Sequence, residues 1–79
     1  MKKIIIQLIC PDQKGIIAQL TSILHQSNNN ILSIEQHVDQ ENEKFYIRIF
    51  AENNDDQFPE NELAELSDDL KGKLYLFNP

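Results

Sequence analysis

The sequence predicts a small α+β domain with the ferredoxin-like order βαββαβ, in which two helices cover one face of a four-stranded antiparallel sheet. Three observations lead to this prediction. The chain has 79 residues, a length that suits one domain. Two segments repeat apolar residues at helical spacing, and four shorter segments are continuously apolar or alternate. These segments follow one another as strand, helix, strand, strand, helix and strand.

The first strand and helix are marked at both ends. Residues 3–10 form a short apolar run before Pro11, which is typical of a buried strand, β1. Isoleucine and leucine then recur every three or four residues from 16 to 24, and this spacing predicts the amphipathic helix α1. Asp12 is the expected N-cap. The Ser-Asn-Asn-Asn run at 27–30 is expected to end the helix, because asparagine tolerates left-handed backbone.

A hairpin of two strands follows α1. Residues 30–39 alternate, with Leu32, Ile34 and Val38 on one face, and predict β2. Residues 40–43 are a polar turn, and residues 44–51 alternate again as β3. The two strands are expected to pair.

The last elements are a helix and a short strand. Residues 52–58 read as a polar loop, and Pro59 suits a first helical turn. Leucines at 63, 66 and 70 predict α2, which ends before Gly72. Residues 73–77 predict β4. The domain is therefore expected to span residues 1–77, with 78–79 as the start of a linker.

Charge and composition disfavour several classes of function. The net charge of -6 opposes binding to nucleic acid or to an anionic membrane. No apolar run approaches the roughly 20 residues of a membrane span. The single cysteine, Cys10, cannot form an internal disulfide, which favours a reducing, cytoplasmic location. His25 and His37 lack a nucleophile partner, so no catalytic residue is predicted.

Metal binding and cofactor binding are not predicted either. A metal carrier of this fold needs a second thiol beside Cys10, and an acylphosphatase needs more cations in this loop than Lys14. The acidic residues between 52 and 69 lack the spacing of a calcium loop and are interpreted as a solvated surface of α2. They are Glu52, Asp55, Asp56, Glu60, Glu62, Glu65, Asp68 and Asp69.

The sheet face away from the helices is expected to be apolar. It would carry Ile5, Ile9, Tyr46, Phe50, Tyr75 and Phe77. Tyr46 and Phe50 on β3 permit an RNA-binding interpretation, but β1 has no aromatic residue and the negative charge opposes it. The preferred interpretation is a face covered by another protein surface.

Gly15 is placed by the sequence just inside α1, where glycine lowers helix stability. Two interpretations are equally open: close approach of a ligand to the backbone, or packing of α1 on the sheet. The N-terminal amides of α1 suit a carboxylate ligand.

The motif Asp12-x-x-Gly15-Ile16, followed by α1 and by Asn30-Ile31, resembles the ACT domain family. More narrowly, residues 9–18 (ICPDQKGIIA) and 44–48 (KFYIR), with Val38-Asp39, are similar to the amino-terminal ACT domain of formyltetrahydrofolate deformylases. The similarity covers essentially the whole chain.

The resemblance implies a regulatory module without catalytic residues, cut from a hydrolase that converts 10-formyltetrahydrofolate to formate and tetrahydrofolate for purine synthesis. It implies an amino-acid effector, with glycine and methionine as candidates, and a homodimer or higher oligomer. It implies an effector site shared between two copies. The residues it assigns to this site are Asp12, Gln13, Gly15, Ile16, Asn30 and Ile31. The alternative is a stand-alone dimerisation domain with no catalytic partner.

Overall fold

The computed structural model describes residues 2–53 and 58–79 and confirms the predicted α+β order. The predicted loop over 52–58 is wrong at its start, because β3 continues to Asn53. Asp55 and Asp56, assigned to an acidic surface, lie outside the described residues. The elements are β1 Lys2–Pro11, α1 Ile16–Gln26, β2 Asn29–Asp39, β3 Lys44–Asn53, α2 Glu60–Asp69 and β4 Lys73–Phe77.

The sheet has the strand order β2-β3-β1-β4, and every neighbouring pair is antiparallel. β1 lies inside the sheet, with Ile5 opposite Phe50 on β3 and Phe77 on β4. β2 and β4 are the two edges. Because β1 and β2 are both antiparallel to β3, they run in the same direction, and their starts lie at the same end of the sheet.

The core lies between the sheet and the two helices. Alternate residues of β1 and β3 point into it, together with the apolar stripes of both helices, as the spacing predicts. The buried apolar residues are Ile6, Leu8, Cys10, Ile16, Leu20, Leu24, Phe45, Ile47, Ile49, Ala51, Leu63, Leu66 and Leu70.

The start of α1 differs from the prediction. Asp12 is not its N-cap, because the N-cap residue is Gly15 and no side chain of residues 2–53 or 58–79 caps this helix. Gly15 has a left-handed φ of +83°, so it precedes the helix rather than lying inside it. The backbone amide of Asp12 instead donates to the carbonyl of Glu43, at 2.8 Å. The β1–α1 loop is thereby tied to the β2–β3 turn.

The end of α1 agrees with the prediction. Asn28 adopts left-handed backbone, with φ of 61°. The side-chain Nδ2 of Asn29 donates to the carbonyls of Leu24, at 3.3 Å, and Ser27, at 3.2 Å. The asparagines therefore satisfy carbonyl groups that the last turn of the helix leaves unpaired.

The end of α2 is a Schellman motif, in which the left-handed residue is Lys71 with φ of 58°. The amide of Gly72 donates to the carbonyl of Ser67 at 2.8 Å, and the amide of Lys71 donates to that of Asp68 at 3.1 Å. Glycine therefore follows the left-handed position instead of occupying it.

Strand β2 is an exposed edge that the helices leave partly uncovered. A bulge between Ile31 and Ser33 inserts Leu32 as an extra residue, so strict alternation holds only beyond it. Ile34 and Val38 lie on the helix side of the sheet, opposite the core residues Ile49 and Phe45. They are nevertheless 41% and 40% exposed, and Leu32 is 42% exposed. β2 thus presents an apolar surface at the edge of the sheet.

Candidate functional site

Four of the six predicted site residues lie in the loop between β1 and α1 and at the first position of α1. Asp12, Gln13 and Gly15 are exposed there. Ile16 differs, because its side chain is 2% exposed and belongs to the hydrophobic core. Ile16 therefore fixes the start of α1 by packing, and only its backbone amide faces the loop as a helix-terminal donor.

Gln13 joins this loop to the end of α2. Its side-chain Nε2 donates to the carbonyl of Pro11, at 3.1 Å, and to that of Leu70, at 3.3 Å. The second bond spans 57 positions of the chain and satisfies a carbonyl at the C-terminus of α2. This contact could not be predicted from the sequence, since glutamine in a loop has no preferred partner.

Among the described residues, no capping side chain and no first-turn carboxylate offsets the positive end of the α1 dipole. The first backbone bond of the helix runs from the amide of Gln19 to the carbonyl of Gly15, at 3.0 Å. The amides before Gln19 therefore have no acceptor within the helix, and they carry the positive end of its dipole. A carboxylate group is the natural ligand of such amides.

The other two predicted residues lie on β2, beside α1. Asn30 is exposed and Ile31 is half-buried. Both line an open groove of about 580 Å³ between the helix and the edge strand. The remaining lining residues are Ala18, Thr21, Ser22, His25 and Asn29. The helix side of this groove was missed from the sequence, although Ala18 and Ser22 are small residues one helical turn apart.

The structure places the two halves of the predicted site at opposite ends of the sheet. Pro11, just before the loop, pairs with Lys44, which in turn pairs with Asp39 at the end of β2. The start of β2, at Asn29, pairs with the far end of β3 at Asn53. About ten residues of strand separate the halves, or roughly 30 Å. One copy of the chain does not bring Asp12 and Asn30 together.

Reactive and titratable side chains elsewhere do not form a second cluster. Burial, and then the negative charge of Asp12, raise the pKa of the Cys10 thiol. His25 and His37 are exposed, as expected, and the ring of His37 lies 6.1 Å from that of Tyr46. Across residues 2–53 and 58–79, no three His, Cys, Asp or Glu side chains are grouped to hold a metal ion. Over the same residues, neither helix has the length and apolar character needed to cross a membrane.

Fold and site together define a ferredoxin-like domain whose candidate binding residues lie at the β1–α1 loop and at the start of β2. The model of the ACT domain family matches residues 4–69. The chain belongs to the ACT domain family.

Curated relatives are formyltetrahydrofolate deformylases. The protein from Escherichia coli K12 is 35% identical over 52 residues, which cover 66% of this chain and 19% of the relative. The protein from Synechocystis is 40% identical over 40 residues, covering 51% of this chain and 14% of the relative. The chain thus spans about a fifth or less of the length of the relatives it matches.

Solved structures share the fold. A formyltetrahydrofolate deformylase from Burkholderia mallei superposes with a TM-score of 0.91 at 14% identity, over 99% of this chain and 28% of that protein. An ACT domain protein from Streptococcus pneumoniae gives 0.81 at 24% identity, over 98% of this chain and 89% of that protein. The regulatory subunit of aspartate kinase from Thermus thermophilus gives 0.77 at 22% identity, over 96% of this chain and 50% of that chain.

Proposed function

We propose that this chain is the amino-acid-sensing regulatory domain of a formyltetrahydrofolate deformylase and that it binds its effector between two copies of itself. The similarity to the deformylases of Escherichia coli and Synechocystis supports this parent enzyme. In this proposal the parent is cytoplasmic and hydrolyses 10-formyltetrahydrofolate to formate and tetrahydrofolate for purine synthesis. Residues 1–77 carry regulation, 78–79 begin a linker, and a separate domain carries catalysis.

One observation supports a site shared between two copies: the two halves of the site lie far apart along an open edge strand. The β1–α1 loop and the start of β2 lie at opposite ends of one copy, and β2 runs the full distance between them. Among the described strands of one copy, β2 pairs only with β3, so its outer edge presents unpaired backbone groups. Such an edge favours pairing with a strand of another chain.

Antiparallel pairing of two β2 edges about a two-fold axis brings the second half to the same end of the sheet as the loop. Ile34 is the midpoint of β2, and an axis there sets Asn30 of one copy beside Val38 of the other. Val38 is at the hairpin end of the sheet, and the β1–α1 loop of its own copy lies at that end, two strands further into the sheet. The exposed apolar side chains of β2 are then covered by the second copy, which offsets part of the cost of association.

The chemistry of the combined site suits a free amino acid. The amides of the first turn of α1 receive the carboxylate, and the exposed carboxylate of Asp12 receives the ammonium group. The side-chain amide of Asn30 from the second copy both donates and accepts. An exposed helix terminus contributes only about 0.3–1 kcal/mol, so affinity depends on closure of the site by the second copy. Glycine and methionine are the first effectors to test.

The direct test is calorimetry of the chain with glycine, with methionine and with the other amino acids. We expect Asp12→Ala and Asn30→Ala each to abolish binding. Asp69→Ala and Asn61→Ala, at exposed positions on α2, are matched controls that leave it unchanged. Failure of every amino acid to bind the wild-type chain at millimolar concentration would exclude amino-acid sensing.

A mixing experiment separates a shared site from a site within one copy. A dimer of one Asp12→Ala chain and one Asn30→Ala chain contains one intact site and one doubly altered site. Random mixing of the two inactive variants should therefore restore roughly a quarter of the wild-type binding capacity. No recovery on mixing, with both variants folded and dimeric, would place the site within a single copy.

A second candidate function is a stand-alone ACT domain that only associates with other chains. The Streptococcus pneumoniae ACT domain protein favours it, because this chain aligns with 89% of that protein. Sequencing the gene beyond codon 79 distinguishes the two proposals, since only the regulatory domain requires a continuous catalytic domain.

A further inference from the structure

Three rows of side chains cross the sheet face that the helices leave open, called here the open face. Each row takes one residue from each strand, in the order β2, β3, β1 and β4, and is named after its residue on β3. The Phe50 row consists of Ser33, Phe50, Ile5 and Phe77. The Arg48 row consists of Glu35, Arg48, Gln7 and Tyr75. The Tyr46 row consists of His37, Tyr46, Ile9 and Lys73.

The open face is a charged ridge between two hollows. One hollow, of about 310 Å³, lies along the Tyr46 row and has a mixed, largely polar lining. The other, of about 300 Å³, lies along the Phe50 row, has a more apolar lining and is also lined by Pro79. Glu35 and Arg48 line both hollows and so form the ridge between them. On β4, the rings of Tyr75 and Phe77 stack at 6.5 Å and are 41% and 46% exposed. This face offers both apolar area and polar groups to an occupant.

The two charges of the ridge have no ionic partner among the described residues. Glu35 and Arg48 stand directly opposite each other on β2 and β3, yet their charged groups do not form an ion pair. An occupant that covers the two hollows must therefore offer a donor to Glu35 and an acceptor to Arg48, because an uncompensated charge is costly to bury. The Arg48 row itself contains such a donor, the hydroxyl of Tyr75, and such an acceptor, the side-chain carbonyl of Gln7.

We propose that the open face packs against the open face of a second copy, about a two-fold axis parallel to the strands. This axis reverses the strand order and keeps each row in place, so β2 lies over β4 of the second copy and β3 over β1. Glu35 then faces the hydroxyl donor of Tyr75, and Arg48 faces the carbonyl acceptor of Gln7. Only this axis places Glu35 and Arg48 opposite complementary groups of the Arg48 row in the second copy.

The centres of the neighbouring rows match as well. In the Phe50 row, Phe50 lies over Ile5 of the second copy, and in the Tyr46 row, Tyr46 lies over Ile9. At the ends of these rows, Ser33 lies over Phe77 and His37 lies over Lys73. The other two-fold axis within the interface, perpendicular to the strands, sets Arg48 against Arg48 and Glu35 against Glu35. Like charges at close range exclude that arrangement. Aligned packing of the two sheets is also the usual geometry of stacked β-sheets.

The size of the face sets the expected strength of the contact. Four strands by about eight residues give roughly 19 by 25 Å, or about 1,000 Å² for both copies together. Stable interfaces bury about 1,200–2,000 Å², so this pairing should be weak and concentration-dependent. It uses neither the β2 edge nor the effector residues. Together, the edge contact of the proposed function and this face contact would produce a tetramer.

The test is sedimentation equilibrium over roughly a hundredfold range of concentration, with Tyr75→Glu as the first variant. This substitution sets a carboxylate against Glu35 of the second copy and should weaken association at least tenfold. Ala64→Glu, at an exposed position on α2, adds the same charge and should change nothing. Circular dichroism verifies that each variant is folded.

A charge-reversal rescue tests the orientation. Adding Glu35→Lys to Tyr75→Glu creates opposite charges that face each other across the interface and should restore association. Within one copy the two positions are three strands apart, roughly 14 Å, so they cannot pair internally. A wild-type chain that is monomeric throughout, a Tyr75→Glu effect no larger than that of Ala64→Glu, or failure of the rescue would each overturn the proposal. Effector binding is measured separately, so loss of the proposed function leaves this test intact.

Discussion

The Cβ atom that Gly72 lacks would stand 2.7 Å from the carbonyl oxygen of Ile9. It would also stand 2.8 Å from Cβ of Cys10. The turn between α2 and β4 therefore passes directly against the end of β1, just before the loop half of the candidate site. Gln13 reinforces this contact through its hydrogen bond to Leu70. Both contacts hold the β1–α1 loop to the beginning of β4.

Gly72→Ala should destabilise the domain by overpacking. The added methyl group meets backbone, which cannot rotate away, and such changes cost about 1–3 kcal/mol. Urea unfolding followed by circular dichroism measures the loss. Lys71→Gly is the adjacent control, because it relieves a left-handed non-glycine residue and should not destabilise the domain. An unchanged midpoint for Gly72→Ala would mean that the turn can move away from β1.

Gly15 should respond to substitution through its backbone rather than through crowding. A Cβ there meets only the Gln19 side chain, at 3.4 Å, whereas the φ of +83° opposes L-residues. Alanine should cost about 1–2 kcal/mol, and asparagine less, because asparagine tolerates left-handed backbone. The expected order of unfolding midpoints is wild type, then Gly15→Asn, then Gly15→Ala. Equal midpoints for the two variants would contradict a conformational cause.

The order of elements was predictable because each one carries a complete local signal. β1 and α2 combine an apolar pattern with proline or glycine at their ends, and the Asn28 turn has residues suited to its backbone. The role of Gly15 was not predictable, because neither interpretation drawn from the sequence considered a left-handed residue before the helix. Asp12 was assigned as a cap on side-chain type alone, although the cap position is fixed by where the backbone turns.

The sequence predicted which residues form the candidate site but not how far apart they lie. The resemblance selected Asp12 and Asn30, but the distance between them follows from the sheet topology, in which β1 and β2 run in the same direction and the end of β1 and the start of β2 lie at opposite ends of the sheet. The burial of Ile16 likewise depends on tertiary packing, since the residues 16 and 17 are both isoleucine and only the first enters the core. The exposure of Ile34 and Val38 on β2 also depends on where the helices pack over the sheet.

The Cys10 thiol should react slowly in the folded chain. Its side chain is 2% exposed, and burial followed by the charge of Asp12 raises its pKa. Since the thiolate is the nucleophile, alkylation by iodoacetamide should proceed through opening of the fold and accelerate in urea. The raised pKa also means that the thiol stabilises the fold below its unfolded pKa, near about 8.5, and that this contribution falls as pH rises further.

Two variants examine this assignment of Cys10. Asp12→Asn should lower the pKa of the thiol, because it removes the neighbouring negative charge. Cys10→Ala should remove the loss of stability that the thiol causes as pH rises above its unfolded pKa of about 8.5. Equal alkylation rates for the native and the urea-unfolded chain would show that Cys10 is accessible without opening.

The β2–β3 turn should contain an aspartate with a lowered pKa. The carboxylate of Asp39 accepts hydrogen bonds from Asn42, at 2.8 Å from the side-chain Nδ2 and at 3.3 Å from the backbone amide. The side-chain bond is the largest cause of the lowered pKa, and the backbone bond is the second. Because the folded chain favours the charged form, this carboxylate stabilises the turn above its unfolded pKa of about 3.9. The contribution is lost as pH falls through the folded pKa.

Asn42→Ala removes the largest of these causes and should raise the pKa of Asp39 toward its ordinary value. NMR titration of the side-chain carboxyl carbon measures this shift residue by residue. Asn61→Ala, on the exposed surface of α2, is the matched control and should leave the titration of Asp39 unchanged. With its main hydrogen bond gone, Asp39 should also stabilise the turn less at neutral pH, so amide exchange at residues 40–43 should be faster in Asn42→Ala. If Asp39 titrates identically in both variants, the Asn42 side chain does not hold the carboxylate in solution.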